Sequence, residues 1–125
     1  MKERVQTARR EALAAAADAL EDFMSAVELD LEGRMVNRIG TAHLILYKPR
    51  RVFWKAAYST GLIQYRAVGD TRLFREYLVM EFQVPRGHPA YESADAQKLF
   101  CFTAAVVMQR YFPSESWMVV SEAKD

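Results

Sequence analysis

Residues 47–62 read YKPRRVFWKAAYSTGL, and how this stretch folds decides what the middle of the chain is. Taken with period two, Val52, Trp54, Ala56 and Tyr58 share one face of a strand and Phe53, Lys55 and Ala57 the other. Aromatic and β-branched residues suit such a surface. Lys48, Pro49, Arg50 and Arg51 then form a four-residue hairpin loop. Ser59, Thr60 and Gly61 form a shorter one, with glycine where a positive φ is wanted.

Working outward, the same alternation predicts strands over 35–47, 62–67 and 73–84, with a bulge at Gly40 and a turn at Val68, Gly69, Asp70 and Thr71. Phe74, Leu78, Met80, Phe82 and Val84 fall mostly on one face of the longest strand. Asp70 also suits a helix N-cap, which leaves a helix through Leu73 and Tyr77 as the alternative there. Residues 27–32 alternate strictly as well. They read as a strand whose wet face carries Glu28, Asp30 and Glu32, because three acids are unfavourable at the C-terminal end of a helix.

Both flanks of this region are helical in pattern. Leu13, Ala16, Ala17, Leu20, Phe23 and Met24 recur at three- and four-residue spacing in an Ala-rich segment free of Gly and Pro, predicting a helix over 3–24. A second helix starts at the Ser93 N-cap, has Asp95 in its first turn, and stops at Arg110 and Pro113. Its apolar residues, including Phe100, Cys101, Phe102, Val106 and Val107, cover most of its circumference. That predicts a helix held between two apolar surfaces, with Phe102 and Val106 in the core. Residues 85–89 break the pattern as a loop, 117–120 form a last strand, and 121–125 a polar tail. The expected fold is a single α+β domain over 1–125: N-terminal helix, antiparallel β-meander of four to five strands, buried C-terminal helix, final short strand.

With 125 residues and 51% of them hydrophobic, one domain can bury a core without disulfides or a structural metal. The single cysteine cannot form an internal bridge. Met1, Lys2, Glu3 and Arg4 lead into an amphipathic pattern with no signal-like apolar core, and no apolar run approaches a membrane span. The expectation is a cytoplasmic protein that engages no membrane.

A net charge of +1 carries no argument for a polyanionic partner, but the order of charges does. Residues 33–69 contain Arg34, Arg38, Lys48, Arg50, Arg51, Lys55 and Arg66 and no acid. An even spread of acids would put roughly five there. Residues 11–32 are the opposite, with Glu11, Asp18, Glu21, Asp22, Glu28, Asp30 and Glu32 and no Lys or Arg. Tyr47, Phe53, Trp54, Tyr58 and Tyr65 are interleaved with the cations. Cations neutralise phosphates while exposed rings accept stacked bases, so the combination suits nucleic acid. The hairpin loop is the expected focus, since a basic β-arm with proline at its tip can enter a minor groove. The plainer reading makes Phe53, Trp54 and Tyr65 core, and the arginines edge charges that discourage aggregation.

Other chemistry has less to build on. His43, His88 and Cys101 match no metal-ligand spacing, and Cys101 sits in an apolar helix as a small hydrophobe. The five glycines form no phosphate-binding loop. Asp70 with Glu81, Phe82 and Gln83 resembles the metal-binding pattern of restriction-endonuclease-type nucleases. That resemblance implies a divalent metal held by Asp70 and Glu81, with Gln83 where those enzymes usually carry Lys. A carboxylate in a turn and another on a strand's wet face occur in nearly every α+β domain, so the expectation is a non-enzyme without cofactor or metal.

The sequence thus points to a small binding protein that engages nucleic acid, or an assembly containing it, through Arg34, Arg38, Lys48, Arg50, Arg51, Lys55 and Arg66, with Trp54 and Tyr58 for stacking. The alternative is a protein adaptor, chaperone or inhibitor, as a homodimer in one version, whose cations meet an acidic protein surface. A metal-dependent nuclease stands third.

Overall fold

The computed structural model describes residues 1–26, 39–67, 77–80 and 82–124. In chain order they form α1 (Lys2–Ser25), β1 (Ile39–Tyr47), α2 (Arg51–Ser59), β2 (Ile63–Ala67), β3 (Tyr77–Met80), α3 (Ala94–Tyr111) and β4 (Ser116–Lys124). The class is α+β. The expected strand over 27–32 and the turn at 68–71 lie outside the described residues.

The expected meander is not what forms. The described strands make one antiparallel sheet in the order β2-β3-β1-β4. β1 is central: it pairs along its whole length with β4, from Ile39↔Lys124 to Tyr47↔Ser116, and over Leu44–Tyr47 with β3. A meander would have joined β1 to the segment that follows it. That segment, expected as a strand over 52–58, is instead the helix α2. The last strand is also longer than expected, because register with β1 carries it to Lys124.

Burial explains why α2 is helical. Phe53, Ala56 and Ala57 are buried, whereas Val52, Lys55 and Tyr58 are exposed. This is the spacing of a helix face and cuts across the period-two sets. Gly61, at φ +74, closes the helix. Its N–H donates to the Tyr58 carbonyl at 3.3 Å, and that of Leu62 to Ala57 at 3.0 Å. These two bonds make a Schellman cap, with the buried Leu62 as its apolar partner. The positive φ expected at this glycine is present, but it ends a helix.

Among the described residues, the main core cluster lies on the Leu44 and Leu46 face of the sheet. α3 packs on β1 and β4, and α1 packs along α3. The α1 stripe is Val5, Ala8, Ala12, Ala16 and Leu20, and its three central alanines let two helix backbones approach closely. Leu44 and Leu46 meet Phe53, Phe82, Phe100, Met108 and Phe112 in one cluster. On α3, Ser93 Oγ accepts the Ala96 N–H at 3.1 Å, the bond its N-cap position requires. Gln97 is buried with its amide used twice: Oε1 accepts from the Val84 N–H at 3.1 Å, and Nε2 donates to the Tyr91 carbonyl at 2.7 Å. The loop before α3 is therefore tied to the helix it precedes.

One expectation for α3 fails. Phe102 is 59% and Val106 43% exposed, so these two are not core. Ala96, Phe100, Cys101, Ala104, Val107 and Met108 occupy a single arc, and that arc serves both the sheet and α1. Two apolar neighbours need not wrap a helix completely. Among the described residues, no helix is long and apolar enough to cross a membrane.

Candidate functional site

A nine-residue helix is marginal on its own, since nucleation costs more than so few bonds return. α2 is held at both ends by side chains from distant parts of the chain. At its N-terminus, the Glu115 carboxylate accepts the Arg50 backbone N–H through Oε1 and the Arg50 Nε–H through Oε2, each at 2.9 Å. At its C-terminus, Arg9 Nη1 of α1 donates to the Thr60 carbonyl at 3.3 Å. An anion at the N-terminal end and a cation at the C-terminal end both complement the helix dipole. Underneath, the Phe53 ring packs edge-on against Phe112 at 4.7 Å and Trp117 at 5.6 Å.

Clamped in this way, α2 turns one face outward. Residues 51, 54, 55 and 58 are three or four apart, so Arg51, Trp54, Lys55 and Tyr58 share that face. Arg51, Lys55 and Tyr58 are exposed, and Trp54 is half-buried. The Trp54 and Tyr58 rings stack with centroids 5.8 Å apart and planes inclined by 28°. Arg51 and Lys55 stand one turn apart beside them. The helix contains no acidic residue. A cationic pair and an aromatic pair thus lie side by side on a helix held at both ends.

The other residues singled out in the sequence fall elsewhere. Lys48 is exposed in the β1–α2 connection at φ 44, its Nζ 5.5 Å from the centre of the Tyr47 ring. The four-residue hairpin loop does not exist, because Lys48 and Pro49 lead into a helix and Arg50 is that helix's N-cap. Arg50 is therefore a structural residue whose Nε is committed to Glu115. Arg66 lies on β2 opposite Leu78 of β3. Arg34 and Arg38 lie outside the described residues, as do Asp70 and Glu81. Gln83 Nε2 is 2.9 Å from His43 Nδ1. Among the acids, Glu11, Asp18, Glu21 and Asp22 are exposed along α1, and Glu28, Asp30 and Glu32 fall outside the described residues.

Sequence reasoning missed Glu115. It is the only acid between Asp95 and Glu122, in the turn before β4, and nothing local marks it as the partner of a residue 65 positions earlier. Cys101 is buried, and its Sγ donates to the Phe82 carbonyl at 2.9 Å. Burial pushes its thiol up to about 12, against a smaller opposing effect of a backbone hydrogen bond with Leu44. A thiol held protonated this firmly is no nucleophile. Among the described residues, no three His, Cys, Asp or Glu side chains gather as metal ligands. Comparison of the chain with protein-family models, curated protein sequences and solved structures finds no match.

Proposed function

We propose that this chain is a small non-enzymatic binding protein that engages nucleic acid through the outward face of α2. One observation carries the reading: Arg51, Lys55, Trp54 and Tyr58 lie together on an acid-free helix clamped at both ends. Cations on a fixed frame neutralise phosphates and release counterions, and the rings beside them add contact area at little entropic cost. Lys48, in the connection just before α2, extends the positive charge toward β1. The Arg50 guanidinium contributes mainly by fixing the helix end.

Binding of a labelled oligonucleotide across a salt series tests this. The Arg51→Ser, Lys55→Ser double variant alters exposed side chains and should stay folded. It should weaken binding, and each lost phosphate contact should reduce the slope of log K against log salt by roughly 0.7 to 0.9. Unchanged affinity and slope in the folded double variant would refute the proposal. Binding to acidic proteins that nucleic acid cannot compete away would replace it with an adaptor role.

A further inference from the structure

The aromatic pair on α2 narrows the ligand class. We infer that the α2 face takes single-stranded nucleic acid in preference to duplex, an inference that rests on the function proposed above. Tyr58 is 68% exposed, and Trp54 backs it with a ring 5.8 Å away at 28°. Trp54 is itself half-buried, so Tyr58 is supported on one side and open to solvent on the other. An open ring face can be covered by another flat face. In a duplex the bases stack on each other and show only their edges in the grooves, so the ring would find phosphate, sugar or edge. An unpaired strand offers base faces directly, and stacking of this kind is tolerant of sequence.

The cations fit the same ligand. Arg51 and Lys55 sit one turn apart beside the rings, so a strand with a base on Tyr58 runs its backbone past both. The phosphates of a duplex can meet the same two cations, but a duplex leaves the open ring of Tyr58 without a base face to cover it. The preference for single strands therefore comes from the ring faces, because the two cations serve the phosphates of either form.

Fluorescence anisotropy with one mixed sequence of about 15 nucleotides, as single-stranded DNA, single-stranded RNA and duplex DNA, tests the inference with the full chain. Single strands should bind at least about tenfold more tightly than duplex. Tyr58→Leu, which keeps apolar bulk without a π-face, should remove most of that preference, and Tyr58→Phe should restore it. A difference between the DNA and RNA strands identifies which source the face prefers. Duplex binding as tight as single-strand binding overturns the inference and leaves the proposed function standing, as does an unchanged preference in Tyr58→Leu. Absence of binding to all three probes overturns the proposed function itself.

Discussion

The Glu115 carboxylate, with 1% of its side chain exposed, holds Arg50 by two atoms at once: the backbone N–H and the guanidinium Nε, both at 2.9 Å. The contact joins the turn after α3 to the first residue before α2. It makes a local feature, the start of a short helix, depend on a residue 65 positions away.

Arg50→Ala should therefore destabilise the fold, although the arginine side chain is 65% exposed. The loss leaves a buried carboxylate with only a backbone donor, and should cost about 2 kcal/mol by urea denaturation. Glu115→Ala should cost a similar amount, and the double variant less than the sum of the two. Additive losses would show that the contact between the guanidinium and the carboxylate contributes nothing to stability.

Phe53→Ala and Phe102→Ala should separate sharply. Phe53 is fully buried beneath α2 against Phe112 and Trp117, so its truncation opens a cavity and should cost about 3 to 5 kcal/mol. Phe102 faces outward on α3, and its truncation should cost about 0.5 kcal/mol or less. Midpoints of chemical denaturation measure both.

Cys101 should resist alkylation in the native protein at pH 8 and react readily once the chain is unfolded. Its thiol titrates near 9 when exposed and is raised to about 12 in the fold, so between these values the native state binds the extra proton. The stabilisation from keeping the thiol neutral is complete below pH 9 and is lost as the pH rises from 9 towards 12. Cys101→Ala, which has nothing to ionise, should show a shallower alkaline loss of stability.

The helices α1 and α3 were legible because their signals are local. A stripe at three- and four-residue spacing and the Ser93 cap act within one or two turns, and the structure has both helices and the cap in place, although the buried stripe of α1 runs through Val5, Ala8, Ala12, Ala16 and Leu20 and leaves the expected Ala17 exposed. The exposure of Phe102 was not legible, since an apolar side chain reports a preference for burial and not how many neighbours are available to bury it. The run of cations was legible as charge along the chain. That it divides into a structural Arg50, an outward Arg51 and Lys55, and a separate Lys48 was not.

The sequence by itself determined the α+β class, the two long helices, the glycine at positive φ and the concentration of positive charge between residues 33 and 69. Tertiary structure decided the rest. Residues 51–59 hold Val, Phe, Trp and Tyr, whose intrinsic preference is for strands, and a nine-residue helix has too little internal hydrogen bonding to override it. Glu115 at one end, Arg9 at the other and the Phe112 and Trp117 rings beneath supply what the segment lacks. Once α2 is helical, β1 cannot pair with it and takes β3 and β4 instead. The same change gathers Arg51, Trp54, Lys55 and Tyr58 on one face, where a strand would have put Lys55 opposite both aromatic residues.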